Sequence, residues 1–304
     1  MSAAVSRVCF IGIGNMGWPM AACLLKAGFH VAVSDAVAGR AADFVAQVGG
    51  TAADDLPEAV RRADAIITML PTSVHVAGVV DTIRGSLHAG QILIDMSSGA
   101  PAATQKIAAD LATMDVVVLD APVSGGVARA VTGELAIMSG GDAAALDRAD
   151  PLLRAMGTTI HRIGPVGAGQ AMKALNNLVS AGGFLIAVEA LLIGQQFGLD
   201  PAVMTDVLNA STGTNNTTQK KLKPFVLSRQ FNSGFGLDLM VKDLSIALEV
   251  ARDGAVPTPF AALCRDMWAS AAGLLGKGQD HTAIAKLSEA LSGVTLGGTP
   301  GDKA

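Results

Sequence analysis

The fold is decided near the start of the chain, by the stretch Val8-Cys9-Phe10-Ile11-Gly12-Ile13-Gly14-Asn15-Met16-Gly17. Its first four residues are apolar and predict a buried strand, and the helical pattern Met16–Lys26 begins as the GxGxxG turn ends. In such a turn the first glycine allows the tight bend, the second lets the backbone approach a pyrophosphate, and the third lets the helix pack on the sheet. The N-terminus of that helix adds free N–H groups for the phosphates. The stretch therefore predicts a dinucleotide site, with an ordinary glycine turn as the alternative, and its residues are Gly12, Ile13, Gly14, Asn15, Met16 and Gly17.

Strand and helix patterns alternate around this stretch as far as residue 163. Short, fully apolar runs separated by helical stretches are typical of a parallel sheet that is buried on both faces. We therefore expect a doubly wound, mostly parallel α/β Rossmann domain over residues 1–163. The predicted strands are Val8–Ile11, Val31–Val33, Ala65–Leu70, Ile92–Ile94, Val116–Leu119 and Leu135–Met138, and the predicted helices include Ala102–Ala112 and Ala143–Met156.

Beyond the glycine-rich segment Gly164–Gly169, the sequence shows helical patterns alone. We expect an all-α domain over residues 164–295, which serves substrate binding and oligomerisation, and a frayed tail at 296–304. The longest uncharged run, residues 174–188, is expected to be too short to span a membrane. The predicted helices of this half are Gln170–Phe197, Pro201–Asn209, Leu239–Arg252 and Phe260–Leu274.

The composition argues against several classes of function. The 304 residues carry a net charge of −4 and a pI near 5.7, and no basic cluster interleaves with aromatics, which argues against nucleic-acid binding. The three cysteines form no CxxC pair, as is typical of a reducing compartment, and the five histidines show no metal-ligand spacing. We expect a cytoplasmic protein without a metal site, a membrane span or a nucleic-acid partner.

Residues at the ends of two predicted strands favour NAD as the cofactor. Asp35 follows the second strand, where a carboxylate accepts hydrogen bonds from the adenosine ribose and repels the 2′-phosphate of NADP. Arg40 lies shortly after it and leaves NADP possible. Leu70 and Pro71, at the end of another strand, are expected to form the wall beside the cofactor.

Two further segments carry groups suited to binding a carboxylate and moving a proton. The turn Ser124-Gly125-Gly126 offers a hydroxyl and backbone N–H groups that can hold a carboxylate, although a loop that merely needs glycine is the alternative. Lys173 and Asn177 are four residues apart on a predicted helix and so share one face. Desolvation of Lys173 would favour its neutral form and proton exchange with a substrate hydroxyl, whereas a solvated surface lysine is the alternative.

Together these motifs resemble the β-hydroxyacid dehydrogenase family, typified by 3-hydroxyisobutyrate dehydrogenase. The resemblance covers roughly residues 7–290 and implies a Rossmann domain, a helical domain and an active site in the cleft between them. It also implies a homodimer or homotetramer. The motifs that carry it, in order along the chain, are Phe10–Ala21, Asp120–Gly126, Gly169–Asn177, and Gly234-Phe235 with Met240–Leu244.

The resemblance implies a role for each matching residue near the substrate. Lys173 would be the catalytic lysine and Asn177 the residue that orients the substrate, with the carboxylate held by Ser124, Gly125 and Gly126. Lys242 would close over the cofactor or substrate; the alternative for Lys242 and Asp243 is a surface ion pair or a charge on a helix face.

Two more positions would contact the cofactor. Phe235 belongs to one of the matching motifs, and Ser98 stands where the family usually has threonine, so that the hydroxyl is kept and a methyl group is lost.

The expected reaction is hydride transfer between NAD(P) and the hydroxyl-bearing carbon of a small 3-hydroxy acid. Candidate substrates are 3-hydroxyisobutyrate, 2-hydroxy-3-oxopropionate (tartronate semialdehyde) and threonate-type sugar acids. The alternatives from other classes are a silent cofactor-binding assembly module and an imine reductase. Both are expected to lack the lysine that this chain has at position 173.

Overall fold

The computed structural model describes residues 5–297, which form two compact units divided between Lys173 and Ala174. This division falls inside a helix and later than the predicted domain limits 1–163 and 164–295, which stay predictions. Within the tail that is predicted to fray, residues 298–304 lie outside the described residues. Leu296 is buried, and its N–H donates to Oε1 of Glu289 at 2.9 Å, so residue 296 still belongs to the folded part.

The first unit contains a nine-stranded sheet: β1 Arg7–Ile11, β2 His30–Ser34, β3 Thr51–Ala52, β4 Ala65–Thr68, β5 Ile92–Asp95, β6 Val117–Asp120, β7 Val123–Ser124, β8 Leu135–Gly140 and β9 Gly157–Gly164. The strand order is β3-β2-β1-β4-β5-β6-β8-β7, with β9 beside β8. Neighbours from β3 to β6 are parallel, whereas β8 is antiparallel to β6 and β7 and parallel to β9. The six predicted strands are confirmed, and the structure adds β3, β7 and β9.

Seven helices cover the two faces of this sheet: α1 Gly17–Lys26, α2 Arg40–Gln47, α3 Leu56–Arg62, α4 Ser73–Ile83, α5 Pro101–Ala112, α6 Gly126–Thr132 and α7 Ala143–Met156, with a 3-10 turn at Arg84–Ser86. Because successive strand residues point to opposite faces, Phe10 lies in one apolar core with Leu24 of α1, and Cys9 lies in the other with Val80 of α4. The doubly wound Rossmann architecture is therefore confirmed.

The strand register places polar residues side by side at the carboxyl edge of the sheet. Thr68 at the end of β4 is level with Asp95 of β5, which is level with Asp120 of β6. In open α/β sheets, ligands bind beyond this edge.

The second unit is helical. The long helix α8 begins in the first unit and continues into the second, and in the described residues from 165 onward the only β pairing is an isolated bridge between Gly236 and Asp280. An apolar core around Trp268 and Phe184, whose rings meet edge to face at 6.0 Å, confirms the all-α prediction. The helices are α8 Ala168–Phe197, α9 Pro201–Asn209, α10 Asn216–Lys220, a π-helix Leu222–Leu227, α11 Leu237–Asp253, α12 Pro259–Leu275, a 3-10 turn His281–Ile284 and α13 Ala285–Ser292.

Helix α8 corrects one expectation. It has 30 residues and is the one helix between residues 5 and 297 that is long and apolar enough to cross a membrane, with a mean hydropathy of 1.8 in its most apolar window. The run at 174–188 is thus part of the longer apolar helix that was predicted at Gln170–Phe197, and the length of the run alone underestimates the apolar stretch. Since 56% of that window is buried inside the protein, α8 also fits the description of a core helix.

Candidate functional site

The glycine turn after β1 uses its three glycines in different ways. Gly12 has φ +95°, and a Cβ there would collide with the carbonyl of Met69. A Cβ at Gly17 would collide with the carbonyl of Gly12, so both residues permit close packing. A Cβ at Gly14 would meet no atom within 4 Å. The turn therefore leaves open space above Gly14 at the start of α1, which fits a pyrophosphate that approaches backbone N–H groups.

Other residues of the turn hold it against the sheet. Ile13 is buried, Met16 is half-buried against the core of the same face, and Asn15 is exposed. The N–H of Ile13 donates to Oδ2 of Asp35 at 2.9 Å. The structure thus brings Asp35, predicted to bind the cofactor, directly to the predicted glycine turn.

The carboxylate of Asp35 has three partners. Besides Ile13, it accepts the N–H of Val37 at 2.8 Å and pairs with Nη1 of Arg40 at 3.1 Å, both through Oδ1. A carboxylate has about four acceptor positions, so one remains for a ribose hydroxyl. The pairing with Arg40 partly neutralises Asp35, and this arrangement was not foreseen from the sequence.

The predicted cofactor wall follows β4 and β5. The N–H of Leu70 donates to Oγ of Ser97 at 2.9 Å, which joins the two segments. Pro71 is exposed and Ser98 is half-buried on these segments. The structure therefore groups three predicted positions, Leu70, Pro71 and Ser98, on adjacent loops at the carboxyl edge of the sheet.

The predicted carboxylate-binding turn follows a short strand that the sequence did not indicate. Ser124 ends β7 and pairs with Ala136 of β8, and it is half-buried. Gly125 and Gly126 have φ of +136° and +69°, which only glycine adopts readily, and both are exposed. A Cβ at Gly125 would lie 2.7 Å from Cδ of Arg129, so the arginine stem covers this glycine.

Two buried carboxylates, Asp95 and Asp120, lie at the ends of β5 and β6, at the carboxyl edge of the sheet. Burial raises the pKa of Asp95 to about 6, against hydrogen bonds from Ser97 and Thr68 and with a smaller contribution from nearby Asp120. Burial also raises the pKa of Asp120, although backbone N–H groups of Gly167 and Gln170 oppose this. Within residues 5–297, no three His, Cys, Asp or Glu side chains are grouped as metal ligands would be.

Lys173 is half-buried at the end of the first unit, on α8. It lies one turn into the helix whose start is held against β6, because Asp120 Oδ2 accepts the N–H of Gln170 at 2.8 Å. Lys173 is therefore placed by a rigid element and not by a loop.

In the second unit, Asn177 is buried against α11. Its Nδ2 donates to Oδ2 of Asp243 at 2.6 Å, and its Oδ1 accepts Nδ2 of Asn176 at 3.1 Å. Nζ of Lys242 pairs with the other oxygen of Asp243 at 3.2 Å. Asp243 is 1% exposed, whereas the Lys242 side chain is 23% exposed, so the pair lies partly below the surface, and the role predicted for Lys242 stays a prediction.

Phe235 is held at the start of α11 by a second acidic residue. Asp280 Oδ2 accepts the N–H groups of Gly234 and Phe235, at 2.7 and 3.2 Å, and the N–H of His281 donates to the carbonyl of Phe235. Burial alone would raise the pKa of Asp280, but hydrogen bonds from His281 and Thr282 hold it well below its usual range. Asp280 therefore stays ionised and fixes the loop that carries Phe235.

The sequence assigned no role to Asp280, and it indicated Asp243 only as a charge beside Lys242. The available signal for Asp243 was an acid inside an apolar helical pattern, close to Val241 and next to Leu244. For Asp280 there was no comparable signal, since it lies in a polar loop far from Phe235 in the sequence.

Comparison with known proteins agrees with this architecture over most of the chain. A family model described as the NAD-binding domain of 6-phosphogluconate dehydrogenase matches residues 7–164. A second, described as the NAD-binding of NADP-dependent 3-hydroxyisobutyrate dehydrogenase, matches residues 167–288. The 2-(hydroxymethyl)glutarate dehydrogenase of Eubacterium barkeri is 35% identical over 300 residues, which cover 96% of this chain and 98% of the relative.

Several relatives carry the name 3-hydroxyisobutyrate dehydrogenase, among them one from Pseudomonas aeruginosa and one of known structure. That of Pseudomonas aeruginosa is 38% identical over 296 residues, which cover 93% of this chain and 98% of the relative. The solved structure from Mycobacterium tuberculosis, with L-serine, matches with a TM-score of 0.85 at 33% identity and covers 93% of this chain and 98% of that one.

The Rossmann domain with its open glycine turn, together with the two NAD-binding family models that match the chain, defines a nicotinamide-dependent oxidoreductase. The chain belongs to the 3-hydroxyisobutyrate dehydrogenase family, the β-hydroxyacid dehydrogenases that its motifs resemble. It is thus an NAD(P)-dependent enzyme that acts on the CH–OH group of a hydroxy acid.

Proposed function

We propose that the substrate is a small 3-hydroxy acid, with 3-hydroxyisobutyrate as the first candidate, and that Lys173 and Asn177 act on its hydroxyl group. The observation that carries this proposal is the buried amide of Asn177, which lies one helical turn after Lys173 on α8. Its Nδ2 donates a 2.6 Å hydrogen bond to Oδ2 of Asp243. The amide nitrogen carries two N–H groups, and the one that does not donate to Asp243 can donate a hydrogen bond to a substrate oxygen.

In the oxidising direction, the hydroxyl proton passes from oxygen to the neutral amine of Lys173. At the same time hydride leaves the carbon that bears the hydroxyl group, so that its C–O bond becomes a carbonyl. When bound, the nicotinamide supplies the acceptor for this hydride. The N–H groups of Gly125 and Gly126 and the hydroxyl of Ser124 hold the carboxylate. Reduction follows the reverse course, with Lys173 returning the proton.

NAD is the cofactor that Asp35 favours. Its carboxylate supports the glycine turn through Ile13, and a 2′-phosphate would lie near this negative charge. Within the first unit, the residues that hold the dinucleotide would be the turn Gly12–Gly17, Asp35, Leu70, Pro71 and Ser98.

A second candidate substrate class is a hydroxy acid with two carboxylates, a class favoured by Arg129. Its stem covers Gly125 of the carboxylate-binding turn, and its guanidinium forms no ion pair with any residue between 5 and 297. A second carboxylate on the substrate would provide one. The relative from Eubacterium barkeri is named for such a dicarboxylate.

A homodimer or homotetramer is supported by an exposed apolar stripe on α8. Val179, Ile186 and Ile193 recur at helical spacing and are 76%, 58% and 72% exposed. A second copy of the chain would cover them, and α8 is then buried in the assembly and does not enter a membrane. Free Cys9, Cys23 and Cys264 are consistent with the cytoplasm.

The experiment is a set of initial rates followed by NADH or NADPH absorbance. The panel contains 3-hydroxyisobutyrate, tartronate semialdehyde, threonate, L-serine and 2-(hydroxymethyl)glutarate, each tested with both cofactors. Turnover of a monocarboxylate with NAD supports the first candidate, and preference for the dicarboxylate that is lost in Arg129→Ala supports the second. Tight cofactor binding without turnover of any member would contradict the proposed substrate class.

A further inference from the structure

Gln170 is a buried amide that lies one helical turn before Lys173. It is 1% exposed, and each end of its side chain is engaged. Oε1 accepts the N–H of Gly99 at 2.8 Å, while Nε2 donates to the carbonyl of Ser97 at 2.9 Å and to Oδ2 of Asp95 at 3.3 Å. Only a side chain with both a donor and an acceptor at this reach satisfies all three groups.

The backbone at the start of α8 is held at the same place. Asp120 accepts the N–H of Gly167 at 2.7 Å through Oδ1 and that of Gln170 at 2.8 Å through Oδ2. A Cβ at Gly169 would collide with the carbonyl of Met138, so the first turn lies directly on the sheet. A carboxylate far away in sequence thus performs the part of an N-cap.

These contacts fix the rotation of α8 about its own axis. Residues three apart share a helix face, so the direction of the Gln170 side chain determines the direction of Lys173. Asp120 restrains the position of the helix end, and the Gln170 amide restrains its rotation. Without the amide, a small rotation would displace the lysine amine, which lies at the end of a long side chain.

The same amide reaches the predicted cofactor wall. Ser97, whose carbonyl it binds, accepts the N–H of Leu70 through Oγ at 2.9 Å. The N–H of Ala100 in turn donates to Oγ of Ser73 at 2.8 Å. One side chain therefore joins the helix of Lys173 to the two loops that carry Leu70 and Ser98.

We propose that Gln170 is a positioning residue that sets the Lys173 amine relative to the cofactor wall formed by Leu70, Pro71 and Ser98. This inference rests on the proposed function, in which Lys173 exchanges a proton with the substrate hydroxyl. It assigns Gln170 no contact with substrate or cofactor.

The chain offers a matched control in Gln91. It is also 1% exposed and makes three hydrogen bonds, to the carbonyls of Val60 and Ala63 and from the N–H of His88, but it precedes β5 at the opposite edge of the sheet. Gln170→Met and Gln91→Met each replace a buried amide by a side chain of similar length. We expect similar losses of thermal stability from the two.

The activities separate a positioning role from a structural one. We expect Gln170→Met to lower kcat by ~100-fold, with a change in the KM for NAD below ~3-fold and a shift of ~0.5 pH unit or more in the acidic limb of the kcat profile. Gln91→Met is expected to keep kcat within ~3-fold and its pH profile unchanged. Equal losses of kcat in both variants, with an unchanged profile, would overturn the proposal.

A second variant and a second readout cover the remaining cases. Gln170→Asn keeps an amide but is too short to span Gly99 and Ser97, so it should show the same pattern if Gln170→Met does not fold. Lysines labelled by reductive ¹³C-methylation report the titration of Lys173 by NMR without turnover, with the signal assigned through Lys173→Arg. A titration midpoint that moves in the Gln170 variant supports the positioning role, and an identical midpoint overturns it. A wild-type protein that turns over no hydroxy acid would contradict the proposed function, while this titration would still test Gln170.

Discussion

Asn177 donates a 2.6 Å hydrogen bond from Nδ2 to Oδ2 of Asp243, inside the second unit. The other oxygen of Asp243 pairs with Lys242 at 3.2 Å, and Asp243 itself is buried. The carboxylate therefore orients two residues that were predicted to act at the active site. An amide in place of this carboxylate has one acceptor oxygen and could serve only one of them fully.

We predict that Asp243→Asn lowers kcat by ~10- to 100-fold, because the amide of Asn177 and the amine of Lys242 lose a shared acceptor. Asp238→Asn, which changes an exposed acid on the same helix, is the control and should keep kcat within ~2-fold. Steady-state kinetics with the substrate identified from the panel provides the measurement. Full activity in Asp243→Asn would show that the orientation of Asn177 does not depend on this carboxylate.

The glycine turn provides a pair of variants that separate folding from cofactor binding. Gly14→Ala introduces a Cβ that meets no protein atom within 4 Å, so the melting temperature should stay unchanged while the Kd for NAD rises by at least ~10-fold. Gly17→Ala drives a Cβ into the carbonyl of Gly12 and should destabilise the fold by ~2 kcal/mol or more. Thermal melts and calorimetric titration with NAD measure the two effects. Unaltered NAD affinity in Gly14→Ala would contradict the placement of the pyrophosphate.

Asp35 and Arg40 should set the choice between NAD and NADP. Asp35→Asn keeps an oxygen for the N–H of Ile13 but removes the charge that pairs with Arg40, which becomes available to a 2′-phosphate. We expect the ratio of kcat/KM for NAD to that for NADP to fall by ~10- to 100-fold. Asp43→Asn, an exposed change on α2, should leave the ratio as it is. An unchanged ratio in Asp35→Asn would place the adenosine ribose elsewhere.

Asp95 should make stability depend on pH. Burial raises its pKa from an ordinary value of 3.8 to about 6. At a pH between these two values, Asp95 is therefore protonated in the native state and ionised in the unfolded chain. The free energy of unfolding should therefore fall as the pH rises through this window, by about 3 kcal/mol from this group. Burial raises the pKa of Asp120 as well, so its ionisation also lowers the free energy of unfolding as the pH rises.

Denaturant unfolding at a series of pH values measures this effect. Asp95→Asn removes the titrating group. The free energy of unfolding of the wild type should therefore fall relative to that of the variant as the pH rises from ~4 to ~6. If the difference in unfolding free energy between the two proteins stays constant over this pH range, Asp95 is not protonated in the native state near pH ~4.

Much of the fold could be predicted from the sequence, because buried elements carry their own apolar pattern. Helix α7 was predicted with its observed limits, Ala143–Met156, since its apolar spacing is regular and Asp142 caps its first turn. Strand β9 was missed because most of its residues are exposed and show no apolar alternation. Helix α2 was missed because it buries Phe44 alone.

The site was predicted residue by residue but not as a network. The glycine turn and Asp35 were foreseen separately, and their hydrogen bond joins residues 22 positions apart. The contacts of Gln170 with Gly99 and Asp120 span 71 and 50 positions, and no local pattern indicates such pairings. Their partners become visible only when the sheet brings the strand ends together.

The role of Lys173 is tested by the initial rate of Lys173→Ala beside that of the wild type, with cofactor binding measured separately. Lys106→Ala, which removes an exposed lysine of α5, is the control. We predict that Lys173→Ala lowers kcat by ~100- to 10,000-fold, that the Kd for NAD stays within ~3-fold, and that Lys106→Ala retains full activity. Activity in Lys173→Ala within ~3-fold of the wild type would contradict the assignment of Lys173 as the group that exchanges a proton with the substrate hydroxyl.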